Sequence, residues 1–381
     1  MTIFEKGLMN TQKIIHVVAF NVPYPPNYGG IIDIYYKLRA LHAAGAEILL
    51  HCFVYERGEA QELEDICKKV YYYKRKSGIP YILSKAPYIV ATRNVPELET
   101  NLLADQFPVI FEGLHTTALL RKCRLAGKKV YVRTHNIEHK YYRMLAASEK
   151  SLFRKLYLRS ESKKLESYEA VLQDAGNLLA ISTTDAAYFK EKYGRSVYVP
   201  AFHLHDEVSI QEGSGDYLLF HGNLSVPENE NALMYLAKNV LSRIKYRVII
   251  AGKDPGKRIK RMCRNNPNLE LISNPQGSAM DKLVREAQIN LLYTYQPTGL
   301  KLKLLHSLFG GRHCMANPLM LSGSGLEHLC RIYHRPEEAI ELIDELMRTP
   351  FSETEIENRK AGLQEFSNAY GAERIIALLS D

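Results

Sequence analysis

Short apolar runs alternate with amphipathic stretches along most of the chain, and this alternation predicts repeated strand–helix units. In the first half, runs rich in β-branched, leucine and aromatic residues predict strands at 13–20, 47–54, 109–113, 130–134 and 177–182. In the second half, similar runs predict strands at 217–222, 246–252, 269–273 and 289–295. Strands separated by amphipathic helices are typical of parallel sheets covered on both faces. The pattern therefore predicts an α/β protein with two tandem Rossmann-like, doubly wound domains.

The regular alternation stops at 199–216, a stretch that has no clear period and ends in Gly, Ser and Asp. We expect the inter-domain linker there, which predicts an N-terminal domain at 1–200 and a C-terminal domain at 201–353. A helical tail at 354–381 would then be free to pack back on the first domain. Ligands of doubly wound sheets bind at the strand-to-helix loops, so we expect a cleft between the two domains where these loops face each other.

The composition is that of an ordinary globular protein, with 46% hydrophobic and 24% charged residues among 381. This excludes a disordered or collagen-like chain. The six cysteines are scattered without a C-x-x-C pair, which favours reduced thiols. No apolar run reaches the ~18 residues that a spanning helix needs, and the start shows no signal-peptide pattern. We therefore expect a cytoplasmic protein, free or peripheral on the inner face of the plasma membrane.

The first candidate loop, NVPYPPNYGGIID (21–33), follows the first strand and opens a helix with Gly29 and Gly30. Glycine lets backbone N–H groups approach a phosphate or sugar, and the helix dipole favours an anion at this position. The alternative is an ordinary helix-start turn that binds nothing.

A second candidate is a cluster of polar residues that closes the strand at 130–134. Its members are Arg133, Thr134, His135, Asn136, Glu138 and His139. A single histidine here would more often be structural, but the concentration of polar groups favours a ligand site. The spacing also matches the H-x-x-E-H zinc motif, which requires both histidines on one helix. Because His135 directly follows a strand, we expect no metal site.

Two loops of the second half place glycine after a strand. FHGNLSVPENENA (220–232) carries Gly222 and Asn223, and AGKDPGK (251–257) places Lys253 within reach of an anion. Each loop is by itself only a tight turn.

The strongest candidate runs from the strand at 289–295 through Thr298 and Gly299 into a helix with Lys301 and Lys303 in its first turn. Cations at a helix N-terminus oppose the macrodipole by ~0.3–1 kcal/mol each. A bound diphosphate would reverse this cost, because backbone N–H groups, the dipole and both lysines would converge on it. The alternative is a pair of solvated lysines.

Three other kinds of site are not supported. The chain has no G-x-x-x-x-G-K-[ST] motif and no G-x-S-x-G motif, which excludes a P-loop ATPase and argues against an α/β-hydrolase. SGSGLEH (322–328) lacks the third glycine of a dinucleotide-binding fingerprint, so no bound cofactor is expected.

Six segments in order along nearly the whole chain resemble the nucleotide-sugar-dependent GT-B glycosyltransferases of family 4. They are PPNYGG, RTHNIEHKYY, SYEAVL before AISTTDAAYF, FHGNLSVPENENAL, IIAGKDP and TGLKLKLLHSL. The resemblance implies the two-domain GT-B fold and sugar transfer from a nucleoside diphosphate without a metal ion. It also implies that the anomeric configuration is retained.

The same resemblance implies roles for individual residues. His135 would contact the transferred sugar, Asn136 and Glu138 would lie on the acceptor side, and the base would sit by 273–280. The diphosphate would be approached from the first domain by Gly29 and Gly30. In the second domain it would be bound by Gly222, Asn223, Lys253, Thr298, Gly299, Lys301 and Lys303.

The chain departs from the family at charged positions. The paired glutamates of the family fall on Thr298 and His306, and its Arg/Lys clamp falls on Asn223 and on Glu228 or Asn229. The resemblance as a whole favours a glycosyltransferase acting on a lipid-linked or oligosaccharide acceptor in surface polysaccharide or glycoconjugate assembly. The alternatives are an inactive GT-B scaffold or sugar-binding subunit, and a GT-B nucleotide-sugar epimerase.

The net charge of +8 is concentrated in the first half, because residues 1–200 hold 29 basic and 20 acidic side chains. The stretch 121–164 alone has 14 basic and 3 acidic residues, and its end predicts a long helix or a helical pair. Such a surface is either solvated or attracted to an anionic membrane, where each Lys or Arg contributes ~1 kcal/mol. No nucleic-acid-binding motif accompanies the charge, so nucleic acid is not an expected partner.

Overall fold

The computed structural model describes residues 13–149, 151–296 and 301–380. The chain divides into two compact units. The first runs to Leu179 and adds Tyr193–Val197 and the residues from Ala372 onwards. The second comprises Ala180–Lys192 and Tyr198–Gly371.

The first sheet has seven strands in the order β3-β2-β1-β4-β5-β6-β7. They are β1 (Lys13–Ala19), β2 (Ala46–Val54), β3 (Lys69–Lys74), β4 (Val109–Glu112), β5 (Val130–Thr134), β6 (Asn177–Ala180) and β7 (Ser196–Tyr198). The central pairs β1–β2, β1–β4 and β4–β5 are parallel. The five predicted strands are all present, whereas β3 and β7 were not expected from the sequence.

Helices follow the strands of the first unit. They are α1 (Gly29–Ala43), α2 (Gln61–Glu64), α3 (Ile79–Ile82), α4 (Tyr88–Ala91), α5 (Pro96–Leu103), α6 (Leu120–Leu125), α7 (Glu138–Ser148) and α8 (Leu152–Tyr168). α1 buries Ile31, Ile34, Leu38 and Leu41, whose spacing of three and four residues makes one apolar face. The basic stretch forms the helical pair α7 and α8, joined where Ser162 Oγ donates to the carbonyl oxygen of His139 at 2.8 Å.

The second sheet has six parallel strands in the order β10-β9-β8-β11-β12-β13. They are β8 (Tyr217–Asn223), β9 (Arg247–Lys253), β10 (Leu269–Ser273), β11 (Ile289–Leu292), β12 (His313–Ala316) and β13 (Arg331–Ile332). Leu218, Phe220, Val248 and Ile250 alternate with residues of the other face and are buried. The four predicted strands are present, and β12 and β13 extend the sheet.

The remaining helices belong wholly or mainly to the second unit, except α17, most of which belongs to the first. They are α9 (Thr183–Tyr193), α10 (Pro227–Asn239), α11 (Lys257–Arg264), α12 (Gly277–Glu286), α13 (Leu302–Gly310), α14 (Pro318–Leu321), α15 (Pro336–Leu346), α16 (Glu353–Leu363) and α17 (Asn368–Ser380). α16 begins with a capping box, in which Ser352 and Glu355 satisfy each other's backbone N–H groups. Within the described residues, no helix combines the length and the apolar character needed to cross a bilayer. All six cysteines are free thiols.

Both sheets reverse their direction of winding at their first strand, so each has a switch point, between β1 and β4 and between β8 and β11. In such sheets the carboxyl ends of the strands diverge at the switch point and leave a crevice that binds ligands. The loops singled out in the sequence follow β1, β5, β8, β9 and β11, so they lie at this edge of one sheet or the other.

Candidate functional site

His135 follows β5 at the carboxyl edge of the first sheet and is only 7% exposed. β5 runs parallel to β4, which ends at Glu112, and this register brings the two side chains together. His135 Nε2 lies 3.1 Å from Glu112 Oε2, and His135 Nδ1 lies 4.0 Å from Asp33 Oδ2. The predicted histidine is therefore held between two buried carboxylates.

A buried charge network surrounds this histidine. Arg133 binds Asp33 in a two-pronged contact, with Nε donating to Oδ2 at 3.0 Å and Nη2 to Oδ1 at 2.7 Å. Lys37 donates to Glu112 Oε1, and its ammonium lies 3.9 Å from Asp33. All four side chains are buried, so two cations balance two carboxylates around the imidazole.

The network keeps both carboxylates ionised at neutral pH. Burial by itself would raise the pKa of Asp33, but Arg133 and Lys37 outweigh it and hold that pKa far below its usual value. Burial also acts to raise the pKa of Glu112, and Lys37 and His135 together bring it below its ordinary value. An ionised Glu112 can only accept a hydrogen bond. The Nε2 atom of His135 therefore carries a proton, and in the neutral ring the free lone pair is on Nδ1.

One group among the described residues has the spacing of a metal site, with ligand atoms of Asp33, Glu112 and His135 within 4.8 Å of one another. Arg133 and Lys37 already bind these carboxylates, so a divalent cation would have to displace both. The H-x-x-E-H spacing does not form a site either, because His139 Nδ1 lies 2.9 Å from Glu169 Oε2. The two histidines thus contact different acids.

The glycine pair lies at the start of α1, which begins at Gly29. Tyr28, the residue before the helix, makes no side-chain cap, and the first turn has no acidic residue. A Cβ atom on Gly30 would come within 2.8 Å of the Phe20 ring. Phe20 in turn packs edge-on against His135, with 5.7 Å between ring centroids. The structure therefore brings the glycine pair and the histidine to two sides of one aromatic ring.

The two residues predicted on the acceptor side follow His135 directly. Asn136 is half-buried in the loop after β5, and Glu138 is buried as the first residue of α7. His115 is a further residue of this edge that the sequence did not indicate. It is half-buried against Phe20, with 5.0 Å between the rings, and its buried Nδ1 atom has no hydrogen-bond partner among the described residues.

In the second unit, Gly222 and Gly252 form a floor of backbone at the ends of β8 and β9. The two residues are direct partners in the parallel register. Gly222 has a φ of +152°, and a Cβ atom on Gly252 would collide with the Gly222 carbonyl oxygen. The chain then turns with the N–H of Leu224 donating to the carbonyl oxygen of Lys253 at 2.9 Å. Only glycine allows the strand ends to approach so closely.

Asn229 connects this floor to the lysine of α13. Its Nδ2 atom donates to the carbonyl oxygen of Asn223 at 2.9 Å, and its Oδ1 atom accepts from Lys303 Nζ at 3.2 Å. Lys303 also lies 3.3 Å from the carbonyl oxygen of Tyr293, just after β11. Gly222, Asn223 and Lys303, three of the residues singled out in the sequence, therefore lie together at the switch point, and Asn229 joins them.

Two lysines lie at the start of α13, with Lys301 just before the helix and Lys303 in its first turn. Burial lowers the pKa of Lys303 and brings that of Lys301, the residue before the first helical turn, to about 8. Among the described residues no carboxylate lies within 4 Å of Lys303; the nearby Glu228 instead accepts from Thr294 Oγ1 at 2.6 Å and Tyr295 N at 3.0 Å. A bound anion would supply the missing counter-charge.

The other predicted donor contacts differ in their placement. Lys253 is 59% exposed at the end of β9, where its ammonium lies 4.0 Å from Asp254. Thr298 and Gly299 lie outside the described residues. His306, at the second glutamate position of the resemblance, lies 3.0 Å from Asp281 Oδ1 on α12.

Several residues of both sites were not indicated by the sequence: Phe20, Asp33, Lys37, Glu112 and His115. Asn229 was indicated only as one of the positions on which the Arg/Lys clamp of family 4 could fall. Two signals were available: Asp33 and Lys37 interrupt an apolar helix face at i and i+4, and Glu112 ends a strand of apolar residues. A charged residue on a buried face requires a partner, but the partner's identity depends on the strand order.

Comparisons with known proteins agree with this geometry. No family model matches the chain. An uncharacterized 44.6 kDa protein in the cps region of Klebsiella pneumoniae is 27% identical over 341 residues, covering 83% of this chain and 85% of that protein. A glycosyltransferase from Rickettsia africae superposes with a TM-score of 0.66 at 12% identity, covering 97% of this chain and 98% of that one. The chain has the GT-B fold.

A second GT-B comparison includes a ligand. UGT89C1 from Arabidopsis thaliana complexed with UDP-L-rhamnose superposes with a TM-score of 0.59 at 14% identity, covering 97% of this chain and 99% of that one. At such identities the likeness concerns the fold. The two doubly wound parallel sheets are the part of the GT-B architecture that the sequence predicted.

Proposed function

We propose that this GT-B protein is a glycosyltransferase that moves a hexose-type sugar from a nucleoside diphosphate to a lipid-linked or oligosaccharide acceptor. The observation that carries the proposal is Lys303, a half-buried cation beside the backbone floor of β8 and β9 that has no carboxylate within 4 Å among the described residues. A diphosphate fits such a place because it supplies two negative groups and accepts hydrogen bonds from backbone N–H groups. The UDP-sugar complex of the Arabidopsis protein supports this donor class.

In this proposal the second unit binds the donor through the residues that the sequence singled out. They are Gly222, Asn223, Lys253, Thr298, Gly299, Lys301 and Lys303. His135 contacts the transferred sugar, with Asn136 and Glu138 on the acceptor side and Gly29 and Gly30 facing the diphosphate. Transfer proceeds without a metal ion or a resident cofactor and with retention of configuration.

The biological setting is also a proposal. The relative in the cps region of Klebsiella pneumoniae supports surface polysaccharide assembly, which we place at the cytoplasmic face of the membrane. The contact of residues 121–164 with an anionic membrane stays a prediction.

Calorimetry with UDP and GDP tests donor binding directly. Lys303→Ala should weaken binding by about tenfold to a hundredfold, the effect of losing a hydrogen bond to a charged group. Lys238→Ala is the matched control, since it removes an exposed lysine from α10 of the same unit and should leave binding unchanged. Failure of every nucleoside diphosphate to bind would refute the proposed function.

A non-catalytic GT-B scaffold is the second candidate. It is favoured by Asn223, which stands where the family has a charged clamp and whose Oδ1 atom accepts from the backbone N–H of Ser225 at 3.1 Å. This side chain supports its own turn and brings no positive charge to the site. Turnover of any nucleotide sugar that is abolished in His135→Ala would exclude the scaffold. Product analysis without an acceptor separates transfer from epimerisation.

A further inference from the structure

Two short segments of the first unit expose an unusual amount of apolar surface. Among the described residues thirteen large hydrophobic side chains are exposed, and six of them are in these segments: Ile79, Ile82, Leu83, Leu152, Phe153 and Leu156. Phe153 is 86% exposed and Leu83 is 78% exposed. Scattered exposed apolar residues need no explanation, but a concentration of this kind marks an interaction surface.

The apolar residues of α8 lie on the helix face opposite the one that is buried. Glu161, Ser162 and Leu165 pack inward. Leu152 and Leu156 point outward, and the same stripe continues at i+7 and i+11 with Arg159 and Lys163, both exposed. The outer face of α8 is thus apolar in its first turns and basic in its later ones.

The unpaired part of the basic stretch 121–164 is concentrated on α8. Lys122, Arg124, Arg133 and Arg143 form ion pairs with acids elsewhere in the unit. By contrast, four basic residues of α8 have no carboxylate within 4 Å among the described residues: Arg154, Lys155, Arg159 and Lys163. Most of the unpaired charge of the stretch therefore lies beside the exposed leucines and phenylalanine; among the described residues, Arg121 and Lys129 are further exposed basic residues without a carboxylate within 4 Å.

The segment that carries α3 is fixed next to the carboxyl-terminal half of α8. Lys164 Nζ donates to the carbonyl oxygen of Ile82 at 2.7 Å, and the backbone N–H of Tyr88 donates to Glu161 Oε2 at 2.6 Å. These contacts hold the apolar residues of α3 beside the basic end of α8. Together α3 and α8 form what we call the docking surface.

We propose that the docking surface binds an anionic lipid bilayer, with its apolar side chains inserted among the headgroups and its basic side chains next to lipid phosphates. A bilayer offers both environments within a few ångströms, an acyl boundary for leucine and phenylalanine and negative charge for unpaired arginine and lysine. The inference extends the proposed function by naming the surface on which a lipid-linked acceptor would be presented. Since vesicle binding is measured without a nucleotide or sugar, its failure is distinguishable from failure of donor binding.

The absence of tryptophan from the sequence makes insertion directly measurable. Phe153→Trp introduces a sole tryptophan, whose emission should shift to the blue on adding phosphatidylcholine vesicles that contain phosphatidylglycerol. Leu125→Trp is the matched control, because Leu125 is also 78% exposed in the first unit but lies on α6, which is not part of the docking surface. Emission that is unchanged in both variants, or shifted equally in both, overturns the proposal.

Vesicle flotation separates the apolar and charged contributions. The triple change Leu152→Ser, Phe153→Ser and Leu156→Ser should abolish most binding, and Arg159→Glu with Lys163→Glu should lower the partition coefficient by about tenfold or more. Reversing Lys257 and Lys260 on α11 of the second unit is the control and should have little effect. Three results overturn the proposal: equal binding to neutral vesicles, binding unaffected by the triple change, and a blue shift caused by self-association without lipid.

Discussion

His135 Nε2 lies 3.1 Å from Glu112 Oε2, while Lys37 binds the other oxygen of the same carboxylate. Glu112 is thereby fixed at both oxygens and determines the orientation of the imidazole and the nitrogen that carries its proton. Within the proposed function, Glu112 is a positioning residue because it acts on the substrate only through His135.

Glu112→Gln should lower kcat by about a hundredfold, the effect of a misplaced catalytic group. The affinity for UDP, which the second unit provides in this proposal, should stay unchanged and gives the check on folding. Steady-state kinetics and calorimetry on the same preparation make this comparison. Glu99→Gln removes a carboxylate that binds Lys122 at the surface of the first unit and should change neither quantity. Unaltered kcat in Glu112→Gln would show that the contact has no positioning role.

Asp33→Asn should be strongly destabilising, because it leaves the buried guanidinium of Arg133 without its counter-charge. Breaking a buried pair in this way costs about 3–5 kcal/mol. The control is Glu270→Gln, which removes an exposed partner of Arg247 and should cost at most about 1 kcal/mol. Urea denaturation monitored by circular dichroism gives both free energies of unfolding, and equal values would show that the buried network contributes no more than a surface pair.

Donor binding should weaken as the pH rises through about 8. The pKa of Lys301 is lowered to about 8 by burial, so the ammonium is charged below this pH and neutral above it. A diphosphate favours the charged form, and binding should therefore take up protons when measured near pH 8. Calorimetry in buffers of different ionisation enthalpy counts these protons. In Lys301→Arg the affinity should stay constant up to pH 10, because arginine remains charged there. An affinity independent of pH between 7 and 9 would place the diphosphate away from Lys301.

The same lysine affects stability with the opposite sign. A folded-state pKa below the unfolded value of ~10.4 means that the unfolded chain binds more protons between pH 8 and 10. The contribution of Lys301 to the free energy of unfolding should then increase with pH in this window. Comparison of the wild-type chain with Lys301→Met isolates that contribution.

Gly252→Ala should damage the second unit, since the added methyl group would collide with the backbone of Gly222. Overpacking of this kind costs about 1–3 kcal/mol, and the displaced strand ends should also weaken UDP binding. Gly277→Ala is the control, because a Cβ atom there meets nothing within 4 Å at the start of α12. Thermal unfolding and calorimetry of the two variants make the comparison; a harmless Gly252→Ala would show that the strand ends separate easily.

Much of the fold could be predicted from the sequence. Long buried strands such as β8 and β9 leave a continuous apolar signal, and every strand predicted from such a signal is present. β3, whose KVYYYK sequence lies at the sheet edge, and the two-residue β13 gave too little apolar pattern to be recognised. A short edge strand forms because it pairs with an adjacent strand, so its own sequence is a weak predictor of its conformation.

The candidate sites were predictable only in part. His135 and Lys303 follow strands and carry chemistry that a local pattern reveals. Glu112 and Asn229 act through contacts across 23 and 74 residues of chain, to His135 and Lys303 respectively. Such pairings arise from the order of strands in the sheet, which periodicity does not encode. The candidate loops could thus be recognised from the sequence, whereas the residues that contact their side chains are identified only by the structure.

Within the proposed function, the backbone floor at Gly222 and Gly252 can explain why the charged clamp of the family 4 glycosyltransferases is replaced here by Asn223. Peptide groups are common to every sequence, so the place they form does not depend on which side chains surround it. In the proposed donor site, an exchange at Asn223 or Asn229 should alter how strongly a ligand binds and which ligand is preferred. An added side chain at Gly252 removes the place itself. Substitution of the surrounding residues could therefore change the ligand specificity, as long as both positions 222 and 252 remain glycine.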